Sequence, residues 1–178
     1  MSDQDIGKKM CEEHDLEYFV DAYKYVTGEE LIIVSRSEKP DFICEKNEHQ
    51  IGVELSKIIR NPQTAFWDKA IDKQEFMDSS HALDFIYKHV ESKTKKMIKG
   101  DWTETILVLQ LMDSPLSEIG TILDKGLQDD FATSGFTEIW LADYTGLDAY
   151  GDIELFGLYP PKWWGFHPRK NLNRKPYG

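Results

Sequence analysis

Two acids, Asp41 and Glu54, hold the clearest prospect of chemistry in this sequence. They lie in Pro40-Asp41-Phe42-Ile43 and Ile51-Gly52-Val53-Glu54-Leu55-Ser56, two short runs of strand character. Side chains alternate along a strand, so Gln50, Gly52, Glu54 and Ser56 share one face while Val53 and Leu55 share the other. The polar stretch Glu45-Lys46-Asn47-Glu48-His49 between the runs suits a hairpin turn, which would bring Asp41 alongside Glu54. Two converging carboxylates repel each other unless a proton or a cation sits between them. Mg²⁺ is the usual solution, with Mn²⁺ as its substitute: a hard ion that takes a couple of carboxylates and several waters. Such an ion activates a water and stabilises the charge developing on a phosphodiester.

A cation for the same place is found further on. At 100° per residue, Ile86, Val90 and Met97 fall in one narrow helical stripe, and Lys93 falls inside it. A lysine in an apolar stripe is costly to bury without a partner. Two outcomes remain open: the ammonium aims at the carboxylate pair, or it snorkels past the stripe to water. Lys96 lies at the stripe's edge and is the second choice.

The elements that must position these groups follow from periodicity. Leu16, Phe19, Val20 and Tyr23 recur at helical spacing over residues 12–27, and Gly28 suits the stop. Leu31 to Val34, Asp41 to Cys44 and Gln50 to Ile59 read as three strands. A short helix is expected over Phe66 to Met77, and a longer one from Ala82 to Lys99 before Gly100. Thr105 to Met112 is an almost continuous apolar run, as in a strand buried on both faces. Pro115 starts a helix that continues to about Phe131; Thr137 to Tyr144 and Ile153 to Tyr159 complete the strands. This order predicts an α/β fold in which a mixed sheet is flanked by helices. No repeat or Pro/Gly/Ser linker divides the chain, so a single domain over residues 1–178 is expected.

Pro-Asp-Phe followed on a hairpin by Gly-Val-Glu-Leu-Ser resembles the motif of the PD-(D/E)XK nuclease superfamily. The core order of that superfamily, αβββαβ, matches residues 12–112, and residues 113–178 would extend its sheet. The resemblance implies a restriction-endonuclease-like fold and Mg²⁺-dependent hydrolysis of a DNA or RNA backbone, DNA before RNA. Its alternative is an inactive descendant that binds nucleic acid or protein. Asp41 would be the first acid of the motif and Glu54 the second, both of them metal ligands. The motif's lysine falls at Ser56; Lys57 comes one residue late and would reach the site only across a bulge. Members of the superfamily sometimes draw the lysine from the neighbouring helix, a role open to Lys93. The first helix often adds a glutamate, for which Glu13 and Glu17 are the candidates, though a solvated helix charge is the plainer reading of each. Gln50 shares the Glu54 face and more often would meet solvent.

Composition restricts the partners. The formal net charge is −11, yet Lys88 to Gly100 carries five lysines against one acid, and Lys162 to Gly178 five Lys/Arg and no acid. Pooled cations can present a basic face to a polyanion, and Lys95, Lys99, Arg169 and Lys170 are the candidate contacts. A solvated helix face and a loose tail explain them equally well. Trp163, Trp164 and Phe166 could stack on bases, but paired tryptophans more often cover a core. Many nucleases of this kind work as homodimers, although no residue here marks a dimer surface. No apolar stretch reaches the roughly 20 residues of a membrane span. The N-terminus has no apolar signal core, and Cys11 and Cys44 have no ligand spacing, so a cytoplasmic location is expected. P-loop, dinucleotide-binding, serine-elbow and zinc-hydrolase motifs are missing.

Overall fold

The computed structural model describes residues 3–59, 82–100 and 104–169, with side chains from residue 11 on, Ala82 excepted. The helix expected over residues 66–77, and Lys170, lie outside these residues. Helix α1 (Asp3–Thr27) turns Leu16, Phe19 and Tyr23 fully inward. It ends at Gly28, whose φ of 76° suits a residue without Cβ and whose N–H donates to the Lys24 carbonyl at 2.8 Å.

Strands β1 (Ile32–Arg36), β2 (Phe42–Lys46) and β3 (His49–Ile58) form an antiparallel meander. Helix α2 (Ala82–Gly100) precedes β4 (Thr105–Leu111), which runs parallel to β3. β5 (Glu138–Asp143) is parallel to β4, while β6 (Glu154–Tyr159) and β7 (Gly165–His167) return antiparallel. All seven strands lie in sequence order in one mixed sheet.

Helices cover both faces. Val53 and Leu55 of β3 pack with Leu16, Phe19 and Tyr23 of α1, together with Ile106, Val108 and Trp140. On the other face, Ile58, Leu107, Leu109 and Leu111 meet Phe85, Ile86, Val90 and Met97 of α2. Every residue of β4 is buried, the consequence of cover on both sides. Among the described residues no helix is long and apolar enough to cross a membrane.

Two expectations need correction. The helix expected from Pro115 to Phe131 is two helical turns, Leu116–Ile119 and Leu127–Phe131. A 3₁₀ turn at Gly120–Ile122 and an extended Leu123 separate them, and the Asp124 carboxylate then accepts the Gly126 N–H at 2.7 Å, a local turn bond that competes with the helix. β7 was also not anticipated. It forms because Trp163 and Trp164 straddle the sheet's edge: Trp163 lies by Trp140 on one face and Trp164 edge-on to Phe156 on the other. The tryptophan pair therefore covers the core, whereas Phe166 remains half exposed.

Candidate active site

The hairpin register pairs Phe42 with Val53, which sets Asp41, one residue ahead of β2, opposite Glu54. Gly52 makes the approach close: a Cβ there would sit 2.3 Å from Pro40 Cγ, so a larger residue would displace the segment that carries Asp41. The two acids are tied through the backbone. The Asp41 N–H donates to Glu54 Oε1 at 3.0 Å, and the Leu55 N–H donates to Asp41 Oδ2 at 2.9 Å.

Glu54 faces α2, not α1. Lys93 extends from α2 and donates from Nζ to Glu54 Oε2 at 2.7 Å, a charge-assisted bond with both side chains largely buried. Of the two outcomes open to Lys93, its ammonium takes the one directed at the carboxylates. One ammonium does not balance the buried Glu54 and the half-buried Asp41. Burial, and then the negative charge of Glu54, push the Asp41 carboxyl up to about 8. Without a second cation, Asp41 holds its proton well above the usual carboxylate range.

Beside this pair the Ser56 hydroxyl lies 2.8 Å from His89 Nδ1. The imidazole packs against Phe85 in a tilted contact, 4.8 Å between ring centres. Burial and the charge of Lys93 lower the His89 pKa to about 4, which keeps it neutral. Sequence reasoning did not single out His89. The signal was present: it lies four residues before Lys93, one turn away on the same helix face.

Other candidates lie elsewhere. Lys57 points to the α1 face, where its Nζ is 4.0 Å from Asp15 Oδ2. The bulge that could re-aim it is absent from the continuous β2–β3 and β3–β4 registers. Because α1 covers the face opposite Glu54, its glutamates are on the wrong side of the sheet. Glu13 pairs with Arg36 at 3.0 Å, and Glu17 lies 3.6 Å from His14. Gln50 is exposed, opposite Glu45. Lys96 and Lys99 are exposed on α2, and Lys95 forms a solvated pair with Glu91 at 3.4 Å.

Arg169 corrects an expectation. Instead of facing a polyanion it is buried, 3.4 Å from Asp152 and 3.1 Å from Glu154, with its guanidinium over the Tyr150 ring. Acids on and before β6 attract it, and they are recognisable as partners only after the chain has folded.

The donor set suits a hard divalent ion only in part. Asp41 and Glu54 offer carboxylate oxygens, enough for an ion that completes its shell with water and substrate phosphate. Among the described residues no group of three or more His, Cys, Asp or Glu side chains could hold a metal ion. No family model, curated protein or solved structure matches the chain, so the site must be read from its own geometry.

Proposed function

We propose that this chain is a metal-dependent phosphodiesterase that hydrolyses a nucleic-acid backbone, DNA before RNA, with a site like that of PD-(D/E)XK nucleases. The observation that carries the reading is a single arrangement: two carboxylates opposed on a hairpin, with Lys93 Nζ 2.7 Å from one of them. Asp41 and Glu54 would hold Mg²⁺ or Mn²⁺. When bound, that ion would supply Lewis acidity to the phosphate and lower the pKa of water.

The chain's own groups then have defined tasks. Asp41 would release its proton to solvent on binding the ion, because the added positive charge would offset the burial and the repulsion from Glu54 that retain it. Lys93, supplied by α2 where the motif has Ser56 on the strand, orients the attacking water and offsets charge on the phosphoryl oxygens. The exposed lysines of α2, Lys95, Lys96 and Lys99, lie on the same helix and add to the attraction for a polyanion.

One observation favours the runner-up, a nuclease-like fold that binds without cutting. Both oxygens of Glu54 already accept N–H donors, from the Asp41 backbone and from Lys93. A fold that has retired from catalysis would keep such an internally neutralised acid.

The test is cleavage of single- and double-stranded DNA and RNA with Mn²⁺ or Mg²⁺, for the natural chain, Asp41→Ala and Glu54→Ala. The expected result is metal-dependent cutting that falls by about 10²-fold or more in both variants. Equal cutting in excess chelator would sink the mechanism. Tight nucleic-acid binding that is indifferent to Mg²⁺, with no turnover, would favour the binding module.

A further inference from the structure

We propose that the Ser56–His89 contact is a register lock that makes α2 the source of the site's cation. Two residues along β3 span about 6.6 Å and one helical turn of four residues about 6 Å, so successive rungs between them can match. Two polar rungs are present: Glu54 with Lys93, and Ser56 with His89. Beyond them Ile58 joins the apolar cluster that holds Phe85 and Ile86. The strand thus ascends while the helix descends, and each rung constrains the next.

Ser56 occupies the position at which a strand-borne lysine would enter the site. Its side chain is too short to reach Glu54's oxygens as a lysine would, and it is buried against α2 instead. The chain uses that position to anchor the helix, and the helix returns the cation one rung away. Phe85, whose ring packs against the imidazole at an interplanar angle of 40°, helps to hold the imidazole edge toward the hydroxyl. Being neutral, the ring does not compete with Lys93 for Glu54. His89 is therefore a positioning residue that acts through Lys93. Its catalytic meaning rests on the nuclease reading; its hold on Lys93 does not.

The experiment is ¹⁵N NMR of the Lys93 ammonium, which gives a sharp signal when its hydrogen bond to Glu54 is kept. His89→Phe keeps a ring on Phe85 but removes Nδ1. His89→Asn gives up the ring but places a polar atom where Nδ1 was. The lock predicts that the signal is lost in His89→Phe and retained in His89→Asn, a pattern opposite to that of a packing role. A sharp Lys93 signal in His89→Phe, or its loss in His89→Asn alone, would overturn the proposal. Should His89→Phe fail to fold, Ser56→Ala decides in the same way, since it removes only the hydroxyl: signal loss supports the lock and an unchanged signal refutes it. Cleavage with Mn²⁺ is assayed in parallel. If the natural chain does not cut and the NMR pattern still holds, the nuclease reading falls and the lock stands.

Discussion

Two buried polar networks, one on each face of the sheet, solve the same problem to different degrees. On the α1 face, Glu138 is surrounded by donors: Tyr23 Oη at 2.8 Å, Trp140 Nε1 at 3.0 Å and Lys46 Nζ at 3.0 Å. Lys46 also reaches Glu29 at 2.9 Å, and that bond draws the Glu29 carboxyl below its usual range. Burial, followed by the charge of Glu138, drives the Tyr23 phenol far upward, so it stays a donor. Every group in this network has a partner. On the α2 face, Asp41 and Glu54 share one lysine, and Asp41 retains a proton above the usual carboxylate range. A satisfied network anchors an element, whereas an under-compensated one invites a cation. The difference is the physical case for placing function on the α2 face.

The comparison breaks most visibly at Glu138. Glu138→Ala leaves the buried Trp140 Nε1 without its acceptor and Tyr23 and Lys46 with Glu29 alone, and should cost about 3–5 kcal/mol, a fall in Tm of roughly 10 °C by thermal denaturation. A loss under about 1 kcal/mol would show that the α1 network is not an anchor.

A smaller effect is expected at Gly52. Gly52→Ala sets a Cβ against Pro40 and should destabilise by about 1–3 kcal/mol. Because Pro40 precedes Asp41, the same variant should weaken Mn²⁺ binding in calorimetry although it leaves both carboxylates in place. Unchanged affinity would separate Pro40 packing from the site.

A third effect has the opposite sign. Asp41→Asn removes a half-buried charge yet can still accept the Leu55 N–H, so in chelator it should stabilise the fold at pH 8.5. The folded pKa of Asp41 is raised above its unfolded value of 3.8 to about 8, so the stability it contributes is complete below the lower value and is lost as pH rises through the upper one. The advantage of Asp41→Asn should therefore be absent near pH 4 and grow up to about pH 8. A constant gap across that range would show that Asp41 is not under strain.

Much of this was legible in the sequence, for reasons of period. Strand alternation separated Glu54 from Val53 and Leu55, and it set Lys57 on the face where Asp15 meets it. Helical phase placed Lys93 within the stripe that packs on the sheet, and the structure brings its ammonium to Glu54. What was not legible depends on distant pairing. Glu138 and Tyr23 are 115 residues apart, and no local pattern joins them. Arg169 reads as a free cation until Asp152 and Glu154 fold beside it. Glu13 and Glu17 follow the plainer reading, solvated helix charges, and helical phase alone does not tell on which side of the sheet their helix lies.

The most direct test of the central claim is calorimetric titration of Mn²⁺ at pH 8.5 in the presence of a non-cleavable oligonucleotide. It compares the natural chain, Lys93→Met, and the double variant Asp41→Ala with Glu54→Ala. The account predicts saturable binding in the natural chain, tighter binding in Lys93→Met because a competing cation is gone, and no binding in the double variant. Equal binding by the natural chain and the double variant, or none by the natural chain, would contradict a cation site between Asp41 and Glu54.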